Sequence, residues 1–157
     1  MSLSAPTPSN IDGSAFQVGI VAACYNEKLI NGLLVRVLET LHASGVKEES
    51  IRTIRVPGSH EVPWAAGELA RSKGTDVVIA LGVLIGGDTN HHEMVGQSVS
   101  HALQSASLAT RVPIINGVIV TNNLAQAKAR TIGRIDRGAE FAYAALEMAA
   151  LRKKLSS

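Results

Sequence analysis

The sequence predicts an α/β domain: a three-layer αβα sandwich in which helices flank a four-stranded parallel sheet. Two observations support this prediction. Short apolar segments bounded by Gly, Pro or Asn alternate with longer segments of helical periodicity, in the order βαβαβαβαα. In addition, 46% of the 157 residues are hydrophobic and only 3% are aromatic. The core must therefore consist of Val, Ile, Leu and Ala. Helices packed on a sheet can be built from these residues.

Four segments have the pattern of strands, and the first of them is expected to be buried. The third is the most continuous apolar run of the chain, which is typical of a central parallel strand. Pro57 and Gly58 end the second strand, and Pro113 precedes the fourth. The predicted strands are residues 17–23, 51–56, 76–84 and 114–121.

Five segments have helical character. Gly45 is placed to end the first helix. The second begins near Glu61, with Pro63 tolerated in its first turn, and ends at Gly74. The later helices are predicted at about 92–108, 124–131 and 138–154. The apolar stripe of the first helix is Leu29, Leu33, Leu34, Val37, Leu38 and Leu41, and that of the last is Phe141, Ala144, Ala145 and Met148.

The N-terminal segment differs from the rest of the chain. Residues 1–15 are rich in Ser, Pro and Gly and predict a flexible arm. Pro6 and Pro8 would obstruct strand pairing there. No internal repeat or linker interrupts the remainder, so residues 16–157 are expected to form a single domain.

Composition excludes several classes of function. The net charge is only +2 and the basic residues are dispersed, so no nucleic-acid surface is expected. No run approaches the about 20 apolar residues of a membrane span, and the N-terminus lacks the pattern of a signal peptide. Cys24 is the single cysteine and is expected to be a buried, inert thiol. These features predict a cytoplasmic protein without nucleic-acid or membrane partners.

The predicted topology locates the functional residues. In open parallel sheets, ligands bind beyond the carboxyl ends of the strands. Four segments lie there: residues 24–26, 57–61, 86–92 and 121–123. We therefore expect the site to be built from these four segments.

The segment from Gly86 to His91 carries the strongest chemical signal of the four. Two glycines allow the backbone to approach a ligand, and the following helix N-terminus favours a bound anion. Thr89 adds a hydroxyl group, and His91 adds a group that titrates near neutral pH. A plain glycine-rich turn is the alternative interpretation of this loop.

Other single residues also have two interpretations. His91, His92 and Glu93 suggest a metal site, but adjacent helical residues point in different directions and no His-Glu-x-x-His motif is present, so no metal is expected. Tyr25 is either a surface residue or a platform for a heteroaromatic ring. Arg130 and Arg137 are either solvated or able to hold a phosphate through their guanidinium groups.

Together, these residues resemble the 6,7-dimethyl-8-ribityllumazine synthase family from about Gln17 to Leu155. Two motifs are the most specific. One is Val-Pro-Gly-Ser-His-Glu-Val-Pro at residues 56–63, and the other is Leu-Gly-Val-Leu-Ile-Gly-Gly-Asp-Thr-Asn-His at residues 81–91. The remaining markers are Tyr25-Asn26, Val112-Pro113, Gly117, residues 126–130, Gly138 and residues 145–148.

The resemblance implies a flavodoxin-like fold and a transferase of riboflavin biosynthesis. Such an enzyme condenses 5-amino-6-(D-ribitylamino)uracil with 3,4-dihydroxy-2-butanone 4-phosphate to 6,7-dimethyl-8-ribityllumazine, releasing phosphate and water. It uses no cofactor and no metal. By the same resemblance His91 is the catalytic, proton-transferring residue. The implied phosphate-binding residues are Gly87, Asp88, Thr89 and Arg130, and the implied substrate-binding residues are Tyr25, Asn26, Ser59, His60, Glu61, Val83, Leu84, Ile85, Asn116 and Arg137.

The resemblance also implies a homo-oligomer with active sites at subunit interfaces. A pentamer is favoured, and a decamer or a 60-subunit shell is possible for the family. Two other functions remain open. Gly86 and Asn116 depart from the family pattern and favour a non-catalytic lumazine- or flavin-binding paralogue on the same scaffold. A receiver-like phosphate-binding regulator would need an acidic pocket at the first strand, which Cys24 and Tyr25 do not supply.

Overall fold

The computed structural model describes residues 4–157 and confirms the α/β class. Within those residues, four strands alternate with five α-helices. The strands are β1 (Val18–Ala23), β2 (Ile51–Val56), β3 (Val77–Ile85) and β4 (Ile114–Thr121). The helices are α1 (Glu27–Ala43), α2 (Val62–Arg71), α3 (His91–Thr110), α4 (Leu124–Thr131) and α5 (Arg137–Leu155). Two short 3-10 turns, Glu48–Ser50 and Ser59–Glu61, precede β2 and α2.

The four strands form one parallel sheet in the order β2-β1-β3-β4. β1 pairs with β2 and β3, starting from Val18 opposite Ile51 and opposite Val77. β3 also pairs with β4 along eight residues, from Val78 to Ile85. Because every strand runs the same way, all four carboxyl ends lie along one edge of the sheet.

Alternate residues of the central strands face opposite helical layers. Ile20 and Ala22 of β1 pack in a core cluster with α1 and α5, whereas Val21 and Ala23 pack in a second cluster with α2 and α3. The first seven residues of β3 are buried, as the continuous apolar run predicts. The sheet is thus covered on both faces, and its carboxyl edge is left for a site.

Two sequence-based expectations about burial are wrong. Cys24 is exposed, because the strand ends at Ala23 and the chain emerges at the sheet edge there. In α5, Phe141 and Ala145 are buried as expected, but Met148 is 39% exposed and Ala144 only half-buried. Small apolar residues occur on nearly every side of this helix, so the spacing of apolar residues defined its inner face poorly. That face also contains Ala142, Leu146 and Ala149.

Residues preceding β1 contact the core. The N–H of Gly13 donates to the carbonyl of Ser44 at 2.8 Å, and Phe16 is buried. Residues 5–8 lie beside α5, where they line a shallow cleft with Phe141 and Tyr143. The flexibility predicted for residues 1–15 stays a prediction. In the part of the chain that the structure describes, no helix is long and apolar enough to span a membrane.

Candidate active site

A cleft of about 530 Å³ lies at the carboxyl edge of the sheet. It gathers residues from the ends of β1, β2 and β3 and from the start of α3, as the topology predicts. The cleft is lined by Tyr25, Gly58, Ser59, His60, Glu61, Val83, Leu84, Ile85, Gly87, Thr89, His91, His92 and Val95. Three of the four predicted segments therefore meet in one place.

The aromatic wall of the cleft is Tyr25. Its side chain is 73% exposed, which is unusual for a ring that follows a buried strand. A Cβ at Gly58 would lie only 3.2 Å from Cδ2 of Tyr25, so one side of the ring rests on backbone and the other remains open. The neighbouring Asn26 adopts a left-handed conformation and donates from Nδ2 to the carbonyl of Val83 at 2.9 Å. This contact fixes the end of β1 against β3.

The second wall is the 3-10 turn Ser59–Glu61. The N–H of Gly58 donates to Oε2 of Glu61 at 2.9 Å, which holds that carboxylate over the turn. Ser59 is buried, whereas His60 and Glu61 are exposed on the cleft side of the chain. The turn therefore offers one carboxylate, one imidazole and backbone groups to a polar ligand.

The loop between β3 and α3 forms the third wall. The N–H of Gly86 donates to the carbonyl of Thr121 at 2.7 Å, which ties the loop to the end of β4. Space around Gly87 is open, and Thr89 accepts from the N–H of His91 at 3.4 Å. α3 begins at His91 without a side-chain cap from Asn90. Its first N–H groups and its dipole favour an anion at this end of the cleft.

Imidazoles are the main titratable groups of the cleft. His60, His91 and His92 line it together with the carboxylate of Glu61, and among residues 4–157 no Lys or Arg does so. Nδ1 of His92 is buried and has no hydrogen-bond partner. An imidazole accepts a proton in its neutral form and donates one in its protonated form, so the cleft is suited to proton transfer.

Other predicted site residues lie away from this cleft. Arg130, in the last turn of α4, donates from Nη1 to the carbonyl of Gln126 at 3.0 Å. Arg137, which begins α5, pairs with Glu140 at 2.7 Å and lies over the ring of Phe141.

Asn116 is exposed on β4, where its Oδ1 accepts from the N–H of Val118. Asp88 is exposed on the loop, and Asn26 lies beside the cleft without lining it. The predicted cations and Asn116 therefore do not meet the cleft of their own chain.

Sequence reasoning missed Val95 as a cleft residue, whereas Gly58 and His92 fall in the predicted segments 57–61 and 86–92 but were given no individual role. The helical spacing of His91 and Val95, four residues apart, was the available signal for Val95. His91 and His92 both reach the cleft because it is wide, although adjacent helical side chains diverge. In the described part of the chain, no group of three or more potential metal ligands comes together.

Known proteins resemble this chain along nearly its whole length. The sequence model of the family described as 6,7-dimethyl-8-ribityllumazine synthase matches residues 15–153. A protein of that name from a Polaromonas species is 40% identical over 146 residues, or 93% of each chain. The protein from Aquifex aeolicus is 42% identical over 146 residues, or 92% of this chain and 95% of the relative. The protein from Thermococcus kodakarensis is 38% identical over 143 residues, or 91% of this chain and 90% of the relative.

Proposed function

This chain belongs to the 6,7-dimethyl-8-ribityllumazine synthase family, and we propose that the cleft at the carboxyl edge of its sheet is the active site. The protein is a transferase of riboflavin biosynthesis. It condenses 5-amino-6-(D-ribitylamino)uracil with 3,4-dihydroxy-2-butanone 4-phosphate, releasing the lumazine, phosphate and water. The alternative of a non-catalytic binding paralogue has no support in the comparisons.

A single observation carries the placement of the site. One cleft contains an open aromatic ring, a helix N-terminus and His91, which are the groups needed for a pyrimidine, a phosphate and a proton transfer. The pyrimidine stacks on the open face of Tyr25 and meets the main chain of Val83, Leu84 and Ile85. Asn26 supports this half of the site through its hydrogen bond to Val83.

The ribityl chain lies along the turn Ser59–Glu61. Its hydroxyl groups require several hydrogen-bond partners, and this turn presents a carboxylate, an imidazole and backbone groups to the cleft. Because Ser59 is buried, its contribution comes from the backbone more than from its hydroxyl group. His60 and Glu61 contribute their side chains.

The phosphate lies at the loop formed by Gly87, Asp88 and Thr89. Backbone N–H groups and the N-terminus of α3 stabilise its negative charge, and Asp88, which is exposed on the loop, contributes its backbone and not its carboxylate. Full stabilisation of a leaving phosphate also needs a cation. The cleft has none among the described residues of its own chain, so we infer that a neighbouring copy supplies Arg130, together with Arg137 and Asn116.

The assembly that follows is a homo-oligomer with its active sites between subunits, and a pentamer is the favoured unit. Large apolar side chains exposed on this chain are available for contacts between subunits. Trp64 is 75% exposed and Leu108 is 72% exposed. We place the enzyme in the cytoplasm, which the unpaired thiol of Cys24 supports.

His91 moves the protons of the reaction. The amino group of the pyrimidine attacks the ketone and forms an imine with loss of water. Elimination of phosphate and ring closure with loss of a second water follow. Each step transfers a proton, and an imidazole beside the phosphate loop can accept and return it. Holding both substrates in register supplies much of the remaining acceleration.

The test combines both substrates with the protein and follows lumazine by absorbance and fluorescence. Formation must exceed the spontaneous rate in the wild-type protein and fall in His91→Ala. His101→Ala is the matched control, because His101 is exposed further along the same helix and does not line the cleft. Product formed only at the spontaneous rate by the wild-type protein would refute the proposed enzyme, and equal activity of the two variants would remove His91 from the mechanism.

A further inference from the structure

The connection between α4 and α5, residues 132–136, lies between Arg130 and Arg137, the two arginines that we propose reach the cleft of a neighbouring copy. Arg130 is in the last turn of α4, and Arg137 begins α5. Backbone hydrogen bonds tie the connection to α4. The N–H of Gly133 donates to the carbonyl of Lys128 at 2.8 Å, and the N–H of Ile135 donates to the carbonyl of Ala129 at 2.9 Å. The carbonyls of Gly133 and Ile135 are not used in these contacts and need partners of their own.

A guanidinium group from α1 supplies those partners. Nη2 of Arg36 donates to the carbonyl of Gly133 at 2.6 Å, and Nη1 donates to the carbonyl of Ile135 at 3.3 Å. In the described part of the chain, no carboxylate pairs with this guanidinium, so the two carbonyls are its principal partners. Hydrogen bonds from a charged donor are stronger than neutral ones.

α1 is a rigid base for this contact. Leu33 and Val37, on either side of Arg36 along the helix, are fully buried against the sheet. The carbonyls that Arg36 contacts follow the C-terminal end of α4, where the helix dipole is negative and a cation is stabilising. The guanidinium therefore joins a fixed helix to two points of a short connection.

We propose that Arg36 is a positioning residue for the reaction: by clamping the carbonyls of Gly133 and Ile135, it sets the direction in which Arg130 and Arg137 present their charges to the phosphate of a neighbouring copy. This inference rests on the proposed function. The side chains of both arginines are already held within their own helices, Arg130 by Gln126 and Arg137 by Glu140. What Arg36 adds is a fixed backbone between the two helices.

Arg36→Met tests the proposal, because methionine keeps an apolar stem but removes both donors. We expect the KM for 3,4-dihydroxy-2-butanone 4-phosphate to rise about three- to tenfold, as the loss of about one hydrogen bond would produce. The KM for the pyrimidine and the kcat at saturation should stay unchanged. Hydrogen exchange at the amides of Gly133 and Ile135 should become faster. Arg36→Lys retains the charge and can reach one carbonyl, so its KM for the phosphate substrate should lie between those of the wild-type protein and Arg36→Met.

Arg52→Met is the matched control, since Arg52 is exposed near the start of β2, at the opposite end of the sheet from the cleft. It should leave KM, kcat and hydrogen exchange unchanged. If Arg36→Met does not fold, the smaller rise in KM expected of Arg36→Lys carries the test. A loss of kcat without a change in KM would show a merely structural role and overturn the proposal.

Variants of the phosphate-binding arginines separate this inference from the proposed function. If Arg130→Ala raises the KM for the phosphate substrate but Arg36→Met does not, positioning by Arg36 is wrong and the site assignment stands. If neither Arg130→Ala nor Arg137→Ala changes that KM, the site assignment fails and the inference fails with it. In a chain lacking both arginines, Arg36→Met should add no further rise in KM. An additional rise would show that Arg36 acts by another route.

Discussion

Replacing Gly86 with alanine tests how closely the phosphate loop is packed against the end of β4. A Cβ at Gly86 would lie 2.5 Å from the carbonyl oxygen of Asn122 and 3.0 Å from its carbonyl carbon, whereas ordinary contact begins at 3.4 Å. The opposing atoms belong to the backbone, so no side-chain rotation relieves the clash. The hydrogen bond from Gly86 to Thr121, at 2.7 Å, holds the two segments together at this point.

The expected loss of stability in Gly86→Ala follows from the need to move one backbone segment by nearly an ångström. Overpacking of this kind costs about 1–3 kcal/mol of unfolding free energy. Urea unfolding followed by circular dichroism, at one fixed protein concentration, should show a lower midpoint with an unchanged slope. Because the loop that carries Gly87 and Thr89 shifts with Gly86, the KM for the phosphate substrate should also rise.

Gly87→Ala is the control for stability, since among the described residues, apart from its own chain neighbours, no atom lies within 4 Å of a Cβ at that position. It should unfold near the wild-type midpoint. Equal midpoints for Gly86→Ala and the wild-type protein would refute the close packing of the loop on Asn122.

Three further substitutions test the roles of individual site residues. His91→Ala should lower kcat by about 10²- to 10⁴-fold without abolishing lumazine formation, because binding and register remain; a rate within twofold of wild type would contradict proton transfer by this residue. Tyr25→Ala should raise the KM for the pyrimidine substantially, since stacking of one base on an aromatic ring is worth about 1–3 kcal/mol, and titration of the product lumazine by fluorescence should show the same loss of affinity. Arg130→Ala should raise the KM for the phosphate substrate alone, and equal effects on both substrates would point instead to a disturbed fold.

The sheet could be predicted from the sequence because its strands are short and sharply bounded, and all but β2 are mostly apolar. Proline or glycine marks the limits of β2 and β4, whose observed bounds match the prediction. The α5 face was harder, since Ala residues around the helix leave little contrast between its buried and exposed sides. Cys24 was misplaced for a related reason: the apolar run continues one residue beyond the strand, and the exit from the sheet leaves no mark in composition.

Some features of the site could likewise be predicted from the sequence, and others could not. Tyr25, Glu61 and His91 meet in one cleft because the carboxyl ends of parallel strands share an edge. The alternation of strands and helices along the chain is enough to predict this arrangement. Contacts that depend on three-dimensional packing, such as the clamp from Arg36 to Gly133, have no signature in the sequence. Neither residue is near the other along the chain, and no motif joins them.

The separation of charges explains why assembly and catalysis should be linked in this protein. In the proposed site, the groups assigned to stack on and contact the pyrimidine ring, Tyr25 and the main chain of Val83, line the cleft within one chain. The phosphate half has a helix N-terminus and imidazoles but no permanent cation from the described residues of the same chain. A helix dipole supplies only about half a unit charge, which leaves most of a phosphate dianion uncompensated. In the proposed oligomer, Arg130 of a neighbouring copy supplies the remainder, so an isolated chain would bind the pyrimidine and still fail to expel phosphate efficiently.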